Sequence, residues 1–227
     1  MESTVYKTQG SGKSLKYFIY ALLVFWLLLN IFPIYWMFTF SLKDNAEIFG
    51  ANVAGLPHKW LWSNYVTAVR TGKMGVYFLN SIIIAVATIV ITIVAAVMAS
   101  YVMQRIVWKG RKMMNKFFML GLTIPIHASL IPVYMTLKKL GMLNSYQALI
   151  IPYAAFSLAM AILISMGFME DIPLELDEAA TIDGCGTWGI FFRIIFPLMK
   201  PSVSTIGIYT FLQCWNELMF ATTFNSK

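Results

Sequence analysis

Residues 170–197 read EDIPLELDEAATIDGCGTWGIFFRIIFP, and this stretch contains six of the ten acidic residues of the chain. The chain as a whole is 59% hydrophobic and only 12% charged, against roughly 25% charged residues in a soluble domain. A protein this apolar that gathers its acidic residues in one segment presents that segment to water or to a partner. The sequence on either side of the segment indicates which fold surrounds it.

Five long apolar runs occupy most of the remaining sequence. A bilayer core of about 30 Å is crossed by about 20 helical residues, and each run is at least that long. Because a backbone in lipid must satisfy its own hydrogen bonds, each run is predicted to be a helix. We therefore predict an all-α polytopic membrane protein, a transmembrane helix bundle. The five predicted spans are residues 17–42, 76–103, 117–137, 146–168 and 203–224.

The basic residues set the predicted orientation of these spans. Lys7, Lys13 and Lys16 precede the first run, and a dense group of basic residues lies between Arg105 and Lys116. Because Lys and Arg accumulate in cytoplasmic loops, both segments are predicted to be cytoplasmic. This orientation makes residues 43–75 extracytoplasmic and residues 169–202 cytoplasmic. Basic residues within 43–75 weaken the bias but do not reverse it.

The same pattern argues against other classes of function. The net charge of +7 comes from residues at the ends of apolar runs rather than from a patch, which disfavours nucleic-acid binding. The two cysteines and two histidines are isolated, which disfavours a metal site. No Gly-rich phosphate loop or catalytic triad is present. The sequence therefore indicates no enzymatic chemistry within this chain.

The acidic segment is predicted to form two short helices around a turn. Pro173 suits a first helical turn, Gly184 and Gly186 favour a helix end, and Thr187 is predicted to cap a second helix that extends to about Ile195. Leu176, Ala179 and Ala180 are predicted to share one face of the first helix, where small side chains permit close approach of another backbone. Such a face indicates docking of a partner protein, although a solvated loop would show the same spacing.

This segment also resembles a known signature. EAATIDG followed by IIFP resembles the EAA motif of ABC importer permeases, which is EAA, three residues, G, nine residues, I, one residue, LP. Phe196 stands in the place of the usual Leu. FPIYWMFTFSLK, NSIIIAVATIV and WNELMFAT are further similar to the maltose-type, carbohydrate-importing branch. The motif positions that match are Glu178, Ala179, Ala180, Gly184, Ile194 and Pro197.

The resemblance implies a type I ABC importer permease whose loop 170–200 couples to a cytoplasmic ATPase. Glu178 would pair with a basic residue of that ATPase, and Gly184 would form a turn that a Cβ would crowd. Ile194, Phe196 and Pro197 would anchor the second short helix under the bundle. The implied coupling residues are Leu176, Glu178, Ala179, Ala180, Asp183, Gly184, Ile194 and Pro197.

The resemblance also implies the rest of the assembly. The partners would be a second, homologous permease subunit, two cytoplasmic ATP-binding subunits and an extracytoplasmic solute-binding protein. ATP and Mg²⁺ would bind to the ATPase subunits, and this chain would hold no cofactor. The expected location is the bacterial cytoplasmic membrane, as a multi-pass protein with a cytoplasmic N-terminus. A permease for amino acids or peptides, a channel and a membrane scaffold are the alternatives.

Polar residues within the fifth run are candidates for the translocation path. Gln213, Asn216 and Glu217 follow one another at helical spacing, with Trp215 beside them. Aromatic stacking combined with amide and carboxylate hydrogen bonds suits a sugar. The alternative is that Glu217 pairs with a neighbouring helix or lies at the lipid interface.

The predicted domain organisation has two parts. Residues 1–75 comprise a cytoplasmic N-terminal segment, the first span and an extracytoplasmic segment, and residues 76–227 form the permease core. Members of the branch usually have six spans with a cytoplasmic C-terminus, whereas this sequence has five. The expectation is a C-terminally truncated chain that does not transport.

Overall fold

The computed structural model describes residues 13–50 and 52–225, and every regular element in these ranges is helical. Lys7, which contributes to the predicted orientation, lies outside the described residues. The chain divides into two compact units, Met1–Gly75 and Val76–Lys227.

The first unit contains the long helix α1 (Lys13–Ser41), the short helix α2 (Asn45–Ile48) and helix α3 (Ser63–Arg70). The apolar side chains of α1 are almost all exposed, as expected for a helix covered by lipid. After α1 the backbone turns at Lys43, whose buried ammonium donates to the carbonyls of Asn52 and Val53 at 2.6 and 3.1 Å. Asp44 then caps α2 by accepting from the Glu47 amide at 2.8 Å.

The second unit is a bundle built around α4 (Met74–Arg105) and α7 (Gln147–Glu170). The two helices meet through small residues, and Ser100 and Ser165 share a hydrogen bond of 2.9 Å. Small side chains at such contacts allow membrane helices to approach closely. Helix α7 also packs on α5 and α11. The other helices of this unit are α5 (Arg111–Gly121), α6 (Leu130–Lys139), α8 (Glu175–Ile182), α9 (Thr187–Ile190), α10 (Phe196–Leu198), α11 (Lys200–Asn216) and α12 (Met219–Phe224).

Three described helices are long and apolar enough to cross a membrane: α1, α4 and α7. A fourth span results if residues 187–198 and helix α11, which meet at an angle of 70°, are counted together. The five-span count therefore stays a prediction.

The predicted span 117–137 is divided in the structure. Helix α5 ends at Gly121, and a 3-10 turn at His127–Ser129 precedes α6. Pro125 lies in the gap between α5 and this turn. It lacks an amide hydrogen and disfavours helical backbone at the residue before it.

The predicted span 203–224 is divided as well. Helix α11 ends at Asn216, and Glu217 has an extended backbone (φ −84°, ψ 121°) before α12 begins at Met219. Neither Gly nor Pro marks this break in the sequence.

Candidate functional site

The acidic segment forms the expected pair of short helices around a turn, with α8 first and α9 second. The first turn of α8 contains Glu175, Asp177 and Glu178, where negative charge interacts favourably with the helix dipole. Helix α8 begins at Glu175, so Pro173 precedes the helix by two residues rather than lying in its first turn.

Gly184 ends α8 in a Schellman arrangement. Its φ is +81°, its amide donates to the Thr181 carbonyl at 3.0 Å, and the Cys185 amide donates to the Ala180 carbonyl at 2.9 Å. Apart from the adjacent residues of the chain, a Cβ added at Gly184 would meet no described atom within 4 Å. Glycine is therefore favoured here by the left-handed backbone, and the crowding of an added Cβ would come from the adjacent backbone rather than from packed neighbours.

The second helix differs from the prediction at its start. The residue that caps α9 is Gly186, with an extended backbone (φ −75°, ψ 167°), and Thr187 is the first helical residue. The hydrogen-bonding pattern then changes to a π-helical turn at Phe191–Ile195 before α10. Such turns are rare and frequently occur at functional sites.

The two faces of α8 have different environments. Ala180 is only 5% exposed and packs in a cluster with Val97, Tyr101 and Phe191. The predicted docking face includes Ala180, but the structure turns this residue towards its own chain, whereas Leu176 and Ala179 remain exposed.

The exposed face of α8 has a clear helical spacing. Glu175, Glu178, Ala179 and Ile182 follow at i, i+3, i+4 and i+7 and are all exposed, and Ile182 is 86% exposed. We call these four residues the outer face of α8. Sequence reasoning did not select Ile182, although its spacing from Glu178 was a signal, because the direction of the buried face was not known. Asp183 and Gly184 follow the outer face and are exposed too.

The residues after α9 lie partly under the bundle. Ile195 is fully buried, and Ile194 is partly buried against the same cluster as Ala180. Pro197 is exposed, and the Phe196 ring lies 6.2 Å from the Phe191 ring, centroid to centroid.

Asp177 faces inward from α8 and lies 3.6 Å from the Nε atom of Arg105, at the end of α4. Burial raises the pKa of the Asp177 carboxyl, and the positive charge of Arg105 opposes that rise. Because burial is the larger effect, the ion pair only partly compensates for the removal of the carboxylate from water.

The predicted path residues are held mainly by contacts within the chain. The Glu217 carboxylate accepts from the Phe220 amide at 2.9 Å and from the Tyr153 hydroxyl at 2.7 Å. The Glu217 carboxylate thus pairs with the neighbouring helix α7 and caps α12, and its place in the translocation path stays a prediction. The Asn216 amide donates to the Leu212 carbonyl at 2.9 Å, and the Trp215 ring stacks on Phe211 at 5.1 Å.

Two cavities meet at the Tyr153–Glu217 pair. The first has a volume of about 170 Å³. Its lining includes residues of the break between α5 and α6 and also Gln213 of α11. The second has a volume of about 110 Å³ and is lined by Ser81 and Trp215. Tyr153 and Glu217 line both cavities, and Asn216 lines neither of the two. Sequence reasoning missed Tyr153, because a hydroxyl in an apolar run gives no sign of the carboxylate that it contacts.

Comparison with known proteins identifies the class to which this arrangement belongs. Residues 89–227, which include the acidic segment and most of the lining of both cavities, match the family described as binding-protein-dependent transport system inner membrane component. The chain belongs to this family. The resemblance to ABC importer permeases is therefore confirmed, and the chain is a multi-pass inner-membrane permease subunit rather than an enzyme. Membership of the family also implies that it works with partner subunits.

The permease is similar along nearly its whole length to proteins from several organisms. It is 32% identical over 207 residues to the diacetylchitobiose uptake system permease protein of Streptomyces coelicolor, covering 91% of this chain and 68% of that one. It is 34% identical over 217 residues to the sulfoquinovosyl glycerol transport system permease protein of Agrobacterium fabrum, covering 96% and 75%. It is 33% identical over 199 residues to the trehalose/maltose transport system permease protein of Thermococcus litoralis, covering 86% and 70%.

The fold of the permease is also that of a solved transporter. A bacterial ABC transporter involved in the import of the acidic polysaccharide alginate matches with a TM-score of 0.83 at 23% identity, over 96% of this chain and 77% of that chain. This likeness confirms the predicted fold class, a helical bundle of the ABC importer type.

Proposed function

We propose that the permease forms part of the translocation path of an ATP-driven importer for a sugar or oligosaccharide. Three of its relatives are named for the transport of diacetylchitobiose, sulfoquinovosyl glycerol, and trehalose or maltose. All of these substrates carry a sugar unit, which favours a saccharide over an amino acid or peptide.

The two cavities support a carbohydrate as the substrate. Gln213 lines the first and Trp215 the second, and an amide in one cavity with an aromatic ring in the other suits a ligand with hydroxyls and apolar faces. An amino acid would require partners for two opposite charges. Among the described residues that line either cavity, Glu217 alone is charged, and its carboxylate already accepts from Tyr153 and from α12. We propose Gln213, Trp215, Asn216 and Glu217 as residues of the path, with Tyr153 beside them.

The coupling of this path to ATP hydrolysis is proposed to occur through α8. This proposal rests on one observation, which is that the outer face of α8 exposes the apolar side chain of Ile182 between acidic residues. Within a protein interface an apolar side chain with charged neighbours can act as a central anchor. Leu176, Ala179 and Ile182 would contact a cleft of the ATPase, Glu178 and Asp183 would face its basic residues, and Gly184 would fix the turn. Ile194 and Pro197 would support the segment from beneath.

The proposed assembly contains two ATP-binding subunits, a second permease subunit and an extracytoplasmic solute-binding protein. ATP and Mg²⁺ would bind to the ATPase subunits. The basic residues between Arg105 and Lys116 support a cytoplasmic position for α8 and for the N-terminus.

Copurification from native membranes tests the coupling proposal. We expect an ATP-binding subunit to copurify with the tagged permease in mild detergent and to be lost with Glu178→Lys, because the reversed charge would face basic residues of the partner. Lys109→Glu, which reverses an exposed charge in the loop after α4, is the control and should retain the subunit. Retention of the ATP-binding subunit by Glu178→Lys would contradict coupling through the outer face of α8.

A further inference from the structure

Arg105 is the last residue of α4, and its side chain is only 5% exposed. It lies where the end of α7, the turn after α7, and α8 come together. A guanidinium is seldom buried without several hydrogen-bond partners, because its desolvation is costly. The partners of Arg105 therefore indicate what it holds in place.

Two of these partners are backbone carbonyls at the end of α7. The Arg105 Nη2 atom donates to the Met169 carbonyl at 3.0 Å and to the Ile172 carbonyl at 2.5 Å. Carbonyls at a helix C-terminus have no partner within the helix, and the helix dipole is negative there. The Met169 carbonyl already accepts from the Ile172 amide at 3.3 Å, so Arg105 adds charge-assisted hydrogen bonds to both carbonyls and fixes the direction in which the chain leaves α7.

The third contact is the ion pair with Asp177 on α8. Its Nε–Oδ2 distance of 3.6 Å exceeds that of a hydrogen bond, and the Arg105 Nε atom has no hydrogen-bond partner among the described residues. Asp177 is 17% exposed, so the pair is only slightly accessible to water. The carbonyl contacts are thus the more specific part of this arrangement, and the ion pair adds a weaker attraction.

Two further residues near the end of α4 also contact the neighbouring helices. Gln104 donates to the Met166 carbonyl at 2.8 Å, and Tyr101 donates to the Thr187 carbonyl at 3.5 Å. The end of α4 therefore touches α7, α8 and the start of α9. By contrast, α8 buries only Ala180 by itself. A helix with so little buried surface depends on its neighbours for its position.

We propose that Arg105 is a positioning residue that fixes the α7–α8 turn onto the end of α4, so that a displacement of α8 moves α4 and α7 with it. This inference rests on the proposed function, in which a partner displaces α8. Arg105 does not contact that partner in the proposal, because its side chain is buried and the outer face of α8 points away from Ala180 and the bundle.

Amide hydrogen exchange on the purified full chain with its native partners tests the positioning role. Arg105→Gln removes the charge and the guanidinium donors, so we expect the amides of α8 and of the Gly184 turn to exchange about tenfold faster through local opening. Exchange in the middle of α7 should not change. Lys109→Gln, which removes an exposed positive charge from the loop after α4, is the matched control and should leave α8 unaffected. Unchanged exchange of α8 in Arg105→Gln would overturn the proposal.

Arg105→Lys gives a second, milder test. It retains the charge but loses the planar fork, so exchange of α8 should lie between that of the unmodified protein and that of Arg105→Gln. If Arg105→Gln does not accumulate in membranes, Arg105→Lys decides alone: faster exchange of α8 supports the proposal, and unmodified exchange contradicts it.

Coupling of ATP hydrolysis to the solute provides a readout that a merely structural role would not move. Arg105→Gln should still copurify with the ATP-binding subunit, because the outer face of α8 is intact, but saccharide with the solute-binding protein should stimulate its ATP hydrolysis about fivefold less. Unchanged stimulation would contradict the proposal. Failure of the proposed function is distinguishable, because it would appear in the unmodified protein as the absence of a copurifying ATP-binding subunit.

Discussion

At Gly184 the backbone geometry, rather than the space available to a side chain, favours glycine. Its φ of +81° is left-handed, and a methyl group at this position would meet no described atom within 4 Å apart from the adjacent backbone. Gly184→Ala is therefore expected to lower the free energy of unfolding by about 1 kcal/mol through backbone strain. Gly167→Ala is the control, because an added Cβ at Gly167 has equally open space and this residue lies in helix α7 without a positive φ. Thermal unfolding in detergent measures both, and equal losses would argue against strain as the cause.

The hydrogen bond between Tyr153 and Glu217 can be tested with single-residue variants. A double-mutant cycle of Tyr153→Phe and Glu217→Gln should give a coupling energy of about 1 kcal/mol, which is typical of hydrogen bonds between membrane helices. The cycle is measured by chemical unfolding in detergent. Additive effects would show that the 2.7 Å contact does not contribute to stability.

Asp177 gives α8 a dependence on pH whose sign follows from burial. Because the pKa of its carboxyl is raised above 3.8 in the folded protein, the folded state binds a proton more tightly than the unfolded state does. The contribution of Asp177 to stability is therefore full at low pH and falls as the pH rises from about 3.8 through the raised value. Asp177→Asn should abolish this dependence. Amide exchange of α8 between pH 4 and 7, corrected for the intrinsic rate, measures it, and stability that rises with pH would contradict the assignment.

Substitutions on the outer face of α8 are predicted to change binding to a partner rather than the stability of the permease. Ile182→Ser should change the unfolding free energy by less than about 0.5 kcal/mol, because the side chain is already exposed. It should weaken association with the ATP-binding subunit about tenfold or more, as expected for an interface anchor. Val107→Ser, which alters another highly exposed apolar residue (91%), should leave the association unchanged. If both variants bind alike, Ile182 is not an anchor.

The helices of this permease were predictable from sequence to different degrees. Helices α4 and α7 follow directly from apolar runs of spanning length, and the turn at Gly184 follows from the position of the glycine after α8. The break before α12 was not predictable, since it depends on Glu217, whose carboxylate contacts the amides of α12 and the hydroxyl of Tyr153. Tyr153 and Glu217 lie 64 positions apart in the chain, and no local pattern reports their contact.

The site was predictable in its chemistry but not in its orientation. The EAA signature located α8 and Glu178, because the motif has fixed spacing. Which side of α8 faces outward depends on packing against α4, because the cluster that buries Ala180 includes Val97 and Tyr101, which are distant in sequence. From the sequence, Arg105 is recognisable only as a member of the basic group that sets the orientation. Its contacts with the carbonyls of Met169 and Ile172 could not be predicted, because those residues are distant in the chain.

In the whole molecule, the proposed function requires that both ends of the permease core act together. The cavities beside Tyr153 and Glu217 must receive a sugar, and α8 must transmit the movement of an ATPase. Helix α4 connects the two regions, since it lines the second cavity through Ser81 and holds α8 through Arg105. Neither region alone would account for import.

Sugar-stimulated ATP hydrolysis by the purified complex in lipid vesicles tests this account most directly. With the solute-binding protein present, we predict that saccharides stimulate hydrolysis severalfold, that amino acids do not, and that Glu178→Lys removes the stimulation. Stimulation by amino acids instead would contradict the proposed substrate class. Stimulation by saccharides that survives Glu178→Lys at full strength would contradict coupling through α8.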